Sequence, residues 1–367
     1  MRSSTINDYT IEFPDEIAFC FNPMLIRVKP NGSAALTTLA VEIGCGDEDI
    51  TYEVAAFDNV AIADVRQFVQ GVFTRDELTQ LGYGEKSLSS TFKTMGFSIT
   101  LNGSGDTFAF SCGVHWGALK YGGDTFNGYK TIKWWPAFPF TFPLEWAEGD
   151  EVVFSKNGVP NRYMSLGEGE ENGLYNLTTE LMSADAEYYD ILDYNGTIKQ
   201  ATFDTSFDLT FYMSGGTGSK LLRINVGHED EGVYLRWVDR HGLWRHWLFK
   251  KGEESRKTAV DGQFVRNNLV DVGMEYGRLK GNGRQQAYTR NDTWPICAPL
   301  VDEDTWDMLF DLATSPIVDM FSGYAADGTT PKWVSVCVAA GTFTRAKDKL
   351  QDFVCNISLP ETPIQTL

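Results

Sequence analysis

The stretch Gly232-Val-Tyr-Leu-Arg-Trp-Val-Asp239-Arg-His-Gly242-Leu-Trp-Arg-His-Trp-Leu-Phe249 constrains the fold more than any other part of this chain. Two aromatic runs flank the polar turn Asp239–Gly242, and Gly242 supplies a residue that takes positive φ without a side-chain penalty. Alternation places Tyr234, Arg236 and Val238 on one face of the first run and Leu235 and Trp237 on the other. In the second run, Trp244, His246 and Leu248 oppose Arg245, Trp247 and Phe249. The pattern reads as a sheet hairpin with a packed face and a mixed face. Tyr234, Trp237, Trp244 and Trp247 are then packing residues of a structural element, not parts of an active-site loop.

Strand patterns dominate elsewhere. Ile17–Phe21, Met24–Val28, Leu39–Ile43, Ile50–Ala55, Phe97–Leu101, Phe108–Cys112, Phe207–Met213, Leu221–Val226, Ile317–Phe321, Trp333–Val338 and Phe353–Leu359 are apolar or alternating runs bounded by turn residues. Two segments have helical spacing: Ile62, Val65, Phe68, Val69 and Val72, and then Asp302–Ala313, whose Trp306, Leu309, Phe310 and Ala313 share a face. Acidic residues suit the start of the second helix, and Ser315-Pro316 ends it. The expected fold is mainly β, with two or more sandwich or barrel-like domains, each covered by a short helix. Across 367 residues the expected division is an N-terminal β-rich domain (1–156), an acidic linker or excursion (157–200) and a C-terminal β-rich domain with one helix (201–367).

Charge bears on partners. Fifty acidic against 31 basic residues give a net charge of −19, which repels a phosphate backbone and argues against nucleic acid. Arg236, Arg240, Arg245, Lys250 and Lys251 gather near the hairpin and read as the outer face of a strand pair. No run reaches the roughly eighteen apolar residues of a membrane helix, so membrane insertion is not expected. The opening residues lack the apolar core of a signal peptide, which sets the expectation of synthesis in a cytoplasm. The six cysteines, at 20, 45, 112, 297, 337 and 355, contain no C-x-x-C pair and read as buried thiols.

Catalytic and metal signatures are incomplete. His115, His228, His241 and His246 form no H-E-x-x-H, and His241 with His246 flanks a turn without an identifiable third ligand. Gly103-Ser-Gly105 lacks the spacing of a nucleophile elbow, and Ser214–Lys220 precedes a strand where a phosphate loop requires a helix. Glu145 suggests a glycoside hydrolase only if a second carboxylate stands nearby. No catalytic residue, metal or cofactor is therefore expected.

The segment Lys130–Trp146 poses a different problem. Prolines 136, 139 and 143 each remove a ladder donor, so the run must be an edge strand or an extended arm. Trp134, Trp135, Phe138, Phe140 and Trp146 are too many rings to leave in water. They are candidates for a subunit interface or for stacking on sugars, with cover by the same chain as the competing explanation. The acidic stretch Gly167–Asp190 is expected to join them at subunit contacts.

Three segments, Phe13–Pro23, Tyr234–Gly242 with Trp247–Phe249, and Leu312–Pro316, resemble in the same order parts of structural proteins encoded by tailed bacteriophages and prophages of gut Bacteroidetes. The resemblance implies a virion component of the tail tip, baseplate or neck, made in the bacterial host's cytoplasm, with no catalytic residues to carry over. Its implied partners are further copies of the chain and other virion proteins. A glycan-binding module that reads a host surface glycan through the Trp134–Trp146 aromatics is the alternative, and a hydrolase is a third class.

Overall fold

The computed structural model describes residues 1–45, 48–83, 86–103, 107–120, 131–146, 151–156, 159–165, 172–178, 189–192, 198–201, 207–212, 219–261, 265–266, 283–284, 287–345 and 348–360. The chain is mainly β, with several sheets and few short helices. It divides into two units, Met1–Asp230 with Val238–His246, and Glu231–Trp237 with Trp247–Leu367.

In the first unit a four-stranded sheet runs in the order Arg2–Ile6, Tyr9–Phe13, Leu25–Pro30, Ala61–Asp64. A five-stranded sheet has the order Ile17–Phe19, Thr107–His115, Phe92–Leu101, Thr38–Cys45, Glu48–Ala55. Alternation decides what each buries: Leu39, Val41 and Ile43 are buried, as are Met95, Phe97 and Ile99 on the neighbouring strand, while Glu42 is exposed. Phe13 joins the two sheets, its ring 5.1 Å from Phe108 and 4.6 Å from Phe110. Two further sheets run in the orders Thr131–Trp134, Ser219–Val226, Phe207–Tyr212, Glu151–Lys156, Val159–Ser165 and Thr141–Trp146, Gly173–Thr178, Lys86–Leu88.

The expected domain division is corrected here. Glu151–Lys156 pairs both with Val159–Ser165 and with Phe207–Tyr212, so one sheet crosses the expected 157–200 linker and the first unit continues to Asp230. The first helix is also shorter than its spacing suggests. Ile62 belongs to the strand Ala61–Asp64, where it stands opposite Arg27 and is 52% exposed, and the helix begins only at Arg66. Pairing with Leu25–Pro30 satisfies that backbone, and the sheet overrides the helical period. A second turn of helix, Arg75–Leu78, is capped by Thr74, whose hydroxyl accepts from Glu77 N at 3.4 Å.

The second unit is built on an eight-stranded sheet with the order Pro331–Ser335, Val318–Tyr324, Val233–Val238, Trp244–Lys251, Ala287–Val301, Gln351–Ser358, Cys337–Val338, with Ser255–Asp261 paired to Ala287–Val301 off this path. Its two end strands are separated in the chain only by buried Val336, so the sheet curls into a nearly closed barrel. Inside lie Val233, Leu235, Trp237, Phe249, Ile296, Phe353 and Ile357, with Trp306, Leu309 and Leu312 from the helix Glu303–Thr314. Asp302 caps that helix, accepting from Thr305 N at 2.9 Å. Its buried face is rotated from the expected one: Leu312 is inside, whereas Phe310 is 36% exposed and stacks on Trp306 at 5.6 Å. Among the described residues no helix is long and apolar enough to cross a membrane.

Candidate functional site

The hairpin turns at Asp239–Gly242, with Gly242 at φ 81° and its N–H donating to Asp239 O at 3.0 Å. Asp239 is the centre of the turn. Its buried carboxylate accepts from the N–H groups of His241 and Leu243 (both 2.9 Å) and from Arg245 Nε at 2.7 Å. Burial alone would raise its pKa, but the Arg245 charge, His241 and the Leu243 N–H outweigh burial and hold the carboxyl well below the usual range. Tyr234, Trp237 and Trp244 are buried and Trp247 is half-buried. The expected mixed face is absent from the first strand, where all six residues from Val233 to Val238 are buried. Arg236 is tolerated there because its Nε and Nη2 both donate to Asp319 Oδ2 at 2.9 Å and its guanidinium lies 4.3 Å from the Trp333 ring centroid.

The histidines have separate surroundings. His241 Nδ1 is 3.7 Å from Asp239 Oδ2, whereas His246 Nε2 is 3.4 Å from the Tyr83 hydroxyl and its ring 5.5 Å from Phe140. Glu145, the carboxylate weighed for glycoside hydrolysis, is 3.1 Å from Nε2 of buried His115, whose ring stacks on Phe19. Cys20, Cys112 and Cys355 are buried, and burial pushes their thiols up to about 12. Cys45 and Cys297 are half-buried, and Cys337 corrects the expectation of buried thiols because it is exposed on its short end strand.

The aromatic segment forms two edge strands, Thr131–Trp134 pairing only with Ser219–Val226 and Thr141–Trp146 only with Gly173–Thr178 among the described residues, with Pro136 and Pro139 between them and Pro143 on the second edge. Its rings are not a surface. Trp134, Trp135, Phe140 and Trp146 are between 1% and 6% exposed within the chain itself, and Phe138 is half-buried. Trp135 Nε1 donates to Glu229 at 2.9 Å, and the backbone at Gly227 lies so close that a Cβ there would fall 2.4 Å from that nitrogen. Trp146 meets Tyr175 edge-on at 5.9 Å. Trp134, Trp135, Phe140 and Trp146 are covered by the chain itself, as the competing explanation has it, while Phe138 keeps partial exposure. The stretch Gly167–Asp190 lies largely outside the described residues, as do most of Ser214–Lys220 and Arg278–Arg284.

A second exposed feature, a pair of strands in the second unit, has no counterpart in the sequence-based expectations. Ser255–Asp261 pairs in antiparallel register with Ala287–Thr293, from Ser255 opposite Thr293 to Asp261 opposite Ala287. Residues 255–260 are all exposed, and the sheet's next strand meets Ala287–Val301 only from Thr293 onward. The result is a two-stranded arm with neither outer edge paired over most of its length among the described residues. One face carries Arg256 opposite Asp292, Thr258 opposite Arg290, and Val260 opposite Tyr288. Val260 and Tyr288 are 52% and 48% exposed. Arg290 donates to Asp292 through Nε at 2.8 Å and Nη2 at 2.5 Å, and Arg256 donates to Glu254 at 2.7 Å. The Arg290 bond lowers the Asp292 pKa, and the reciprocal bond raises that of Arg290. The arm's root is fixed by Gly252 N donating to Pro295 O at 2.8 Å and by Lys251 Nζ above Trp294 at 3.4 Å. Val260 and Tyr288 are the only large apolar side chains on that face, so no alternation of apolar residues marks the arm. The one signal was the β-branched and aromatic content of Thr258, Val260, Tyr288 and Thr289.

No protein-family model matches the chain, and no curated protein matches it. Among solved structures, one match comes from work described as "Structural insight into host cell surface retention of a 1.5-MDa bacterial ice-binding adhesin". It is 10% identical, covers 88% of this chain and 92% of that one, and has a TM-score of 0.15, at which the likeness supports no inference about fold or function.

Proposed function

We propose that this chain is a non-enzymatic structural protein of a tailed-bacteriophage virion, a β-rich adaptor of the tail tip, baseplate or neck that works as repeated identical copies. The observation that carries the reading is the exposed arm 255–261/287–293. An isolated two-stranded ribbon is marginally stable in water, and unpaired strand edges invite pairing with another chain. An arm of this kind acquires a purpose when a neighbouring subunit covers it, and closed symmetry repeats one modest contact many times. The resemblance of three core segments to phage structural proteins gives the context. The glycan alternative has less support, because four of its five proposed rings, Trp134, Trp135, Phe140 and Trp146, are covered by the chain itself. Quantitative mass spectrometry of phage particles purified from a culture carrying the gene tests the proposal. The expected result is several copies per particle, and particles that lack the protein would refute it.

A further inference from the structure

We infer that the arm of one copy docks on the acidic body of a second copy of this chain, with Val260 and Tyr288 at the centre of the contact and the arm's cations steering it. This inference rests on the assembly reading above and names its partner. The layout of the arm's face favours a protein contact. The directly opposed pair Val260 and Tyr288 is apolar and about half exposed, and it is followed along the same face by Arg290 and Arg256. An apolar, aromatic centre beside a polar border is the anatomy of a protein contact, with tyrosine and arginine the residues that most often anchor one.

Charge favours a second copy as the occupant. The arm strands 255–261 and 287–293 hold Arg256, Lys257 and Arg290 against Asp261 and Asp292, a positive balance in a chain whose net charge is −19. Lys250 and Lys257 have no acidic partner among the described residues, and carboxylates such as Glu42 and Asp49 likewise stand exposed in the first unit without a cation. Copies of so acidic a protein repel one another unless a basic element intervenes, and the arm is such an element. Arg256 and Arg290 are already held along the ribbon by Glu254 and Asp292, which reduces the ordering that docking must supply. Because the arm's face and the surface it would meet are different, the contact is head-to-tail, the kind that closes into a ring when the rotation allows.

The test is sedimentation velocity on the full chain at rising concentration, at about 0.05 M and about 0.5 M salt, conditions that bracket weak and strong screening. Wild type is compared with Tyr288→Ser and with the double variant Arg256→Glu, Arg290→Glu. The expected result is self-association that weakens with salt and that both variants weaken roughly tenfold or more. Melting temperatures should fall little, because Tyr288 and Arg256 are exposed and the half-buried Arg290 pairs only within the arm, away from either core. Variants that fold and associate as wild type does would overturn the arm's role while leaving the assembly reading intact. A wild type that stays monomeric at every concentration would overturn both. Arm-dependent binding to duplex DNA without self-association would overturn the choice of partner.

Discussion

Replacing Trp237 with alanine tests whether the organising hairpin is a core element. Its side chain is fully buried, in a cluster with Leu235, Phe249, Trp306, Leu309 and Phe353. Truncating a buried tryptophan removes its apolar surface and leaves a cavity, at a cost of about 3–5 kcal/mol. That is a large share of the roughly 5–15 kcal/mol that stabilises a typical domain. For a unit of this size each kcal/mol moves the midpoint by about 3–5 °C, so the second unit should melt roughly 10–20 °C earlier. A second variant separates the ring from its nitrogen. Trp237 Nε1 has no hydrogen-bond partner among the described residues, and an unpaired buried donor costs about 1–3 kcal/mol. Phenylalanine deletes that donor while giving up part of the ring, so the two effects offset and Trp237→Phe should lie within about 1.5 kcal/mol of wild type. Guanidinium unfolding followed by circular dichroism measures both variants. An alanine variant within about 1 kcal/mol of wild type, below the range for a buried tryptophan, would refute the packing argument, and so would a phenylalanine variant as damaged as alanine.

Three further outcomes follow from the same structure. Asp239→Asn sets a donor amide against Arg245 in a buried turn and should cost about 3–5 kcal/mol by denaturant unfolding, the range for breaking a buried ion pair; a neutral effect would show that the turn does not need the charge. Asp327 is held down to about 2 by the Thr330 hydroxyl and the N–H groups of Thr330 and Thr329, so its contribution to the turn is present above the unfolded carboxylate pKa of about 3.9 and lost as pH falls toward 2; a titration midpoint by NMR near 3.9 would contradict this. Cys337 should react rapidly with a thiol reagent in the native protein while Cys20, Cys112 and Cys355 wait for denaturation, and equal rates for all four would show that the native burial is not as described.

What the sequence made legible was local. The Asp239–Gly242 turn, the capped helix after Asp302 and the alternating strands of both units are written in consecutive residues. What stayed hidden depends on partners far away in the chain. Prolines 136, 139 and 143 forbid an interior strand but do not say what covers Trp135, whose nitrogen is held by Glu229, 94 residues later. Arg236 reads as the polar face of a strand until Asp319, 83 residues on, accepts from it inside the sheet. Ile62 has helical spacing, yet the strand Leu25–Pro30 supplies ladder bonds that outweigh the period. The arm is hidden for the opposite reason: its strand 255–260 is exposed on both faces and its partner strand half-buried, so no apolar face announces it.

Hydrogen–deuterium exchange on the arm, measured in the dispersed subunit and again in its assembled form, bears most directly on the claim that this chain builds a structure from repeated copies. Fast exchange is expected for Ser255–Asp261 and Ala287–Asp292 in the dispersed subunit, especially along the unpaired edges, and slowed exchange of the same residues on assembly. Exchange in the arm that remains equally fast in an assembly of higher mass would contradict it.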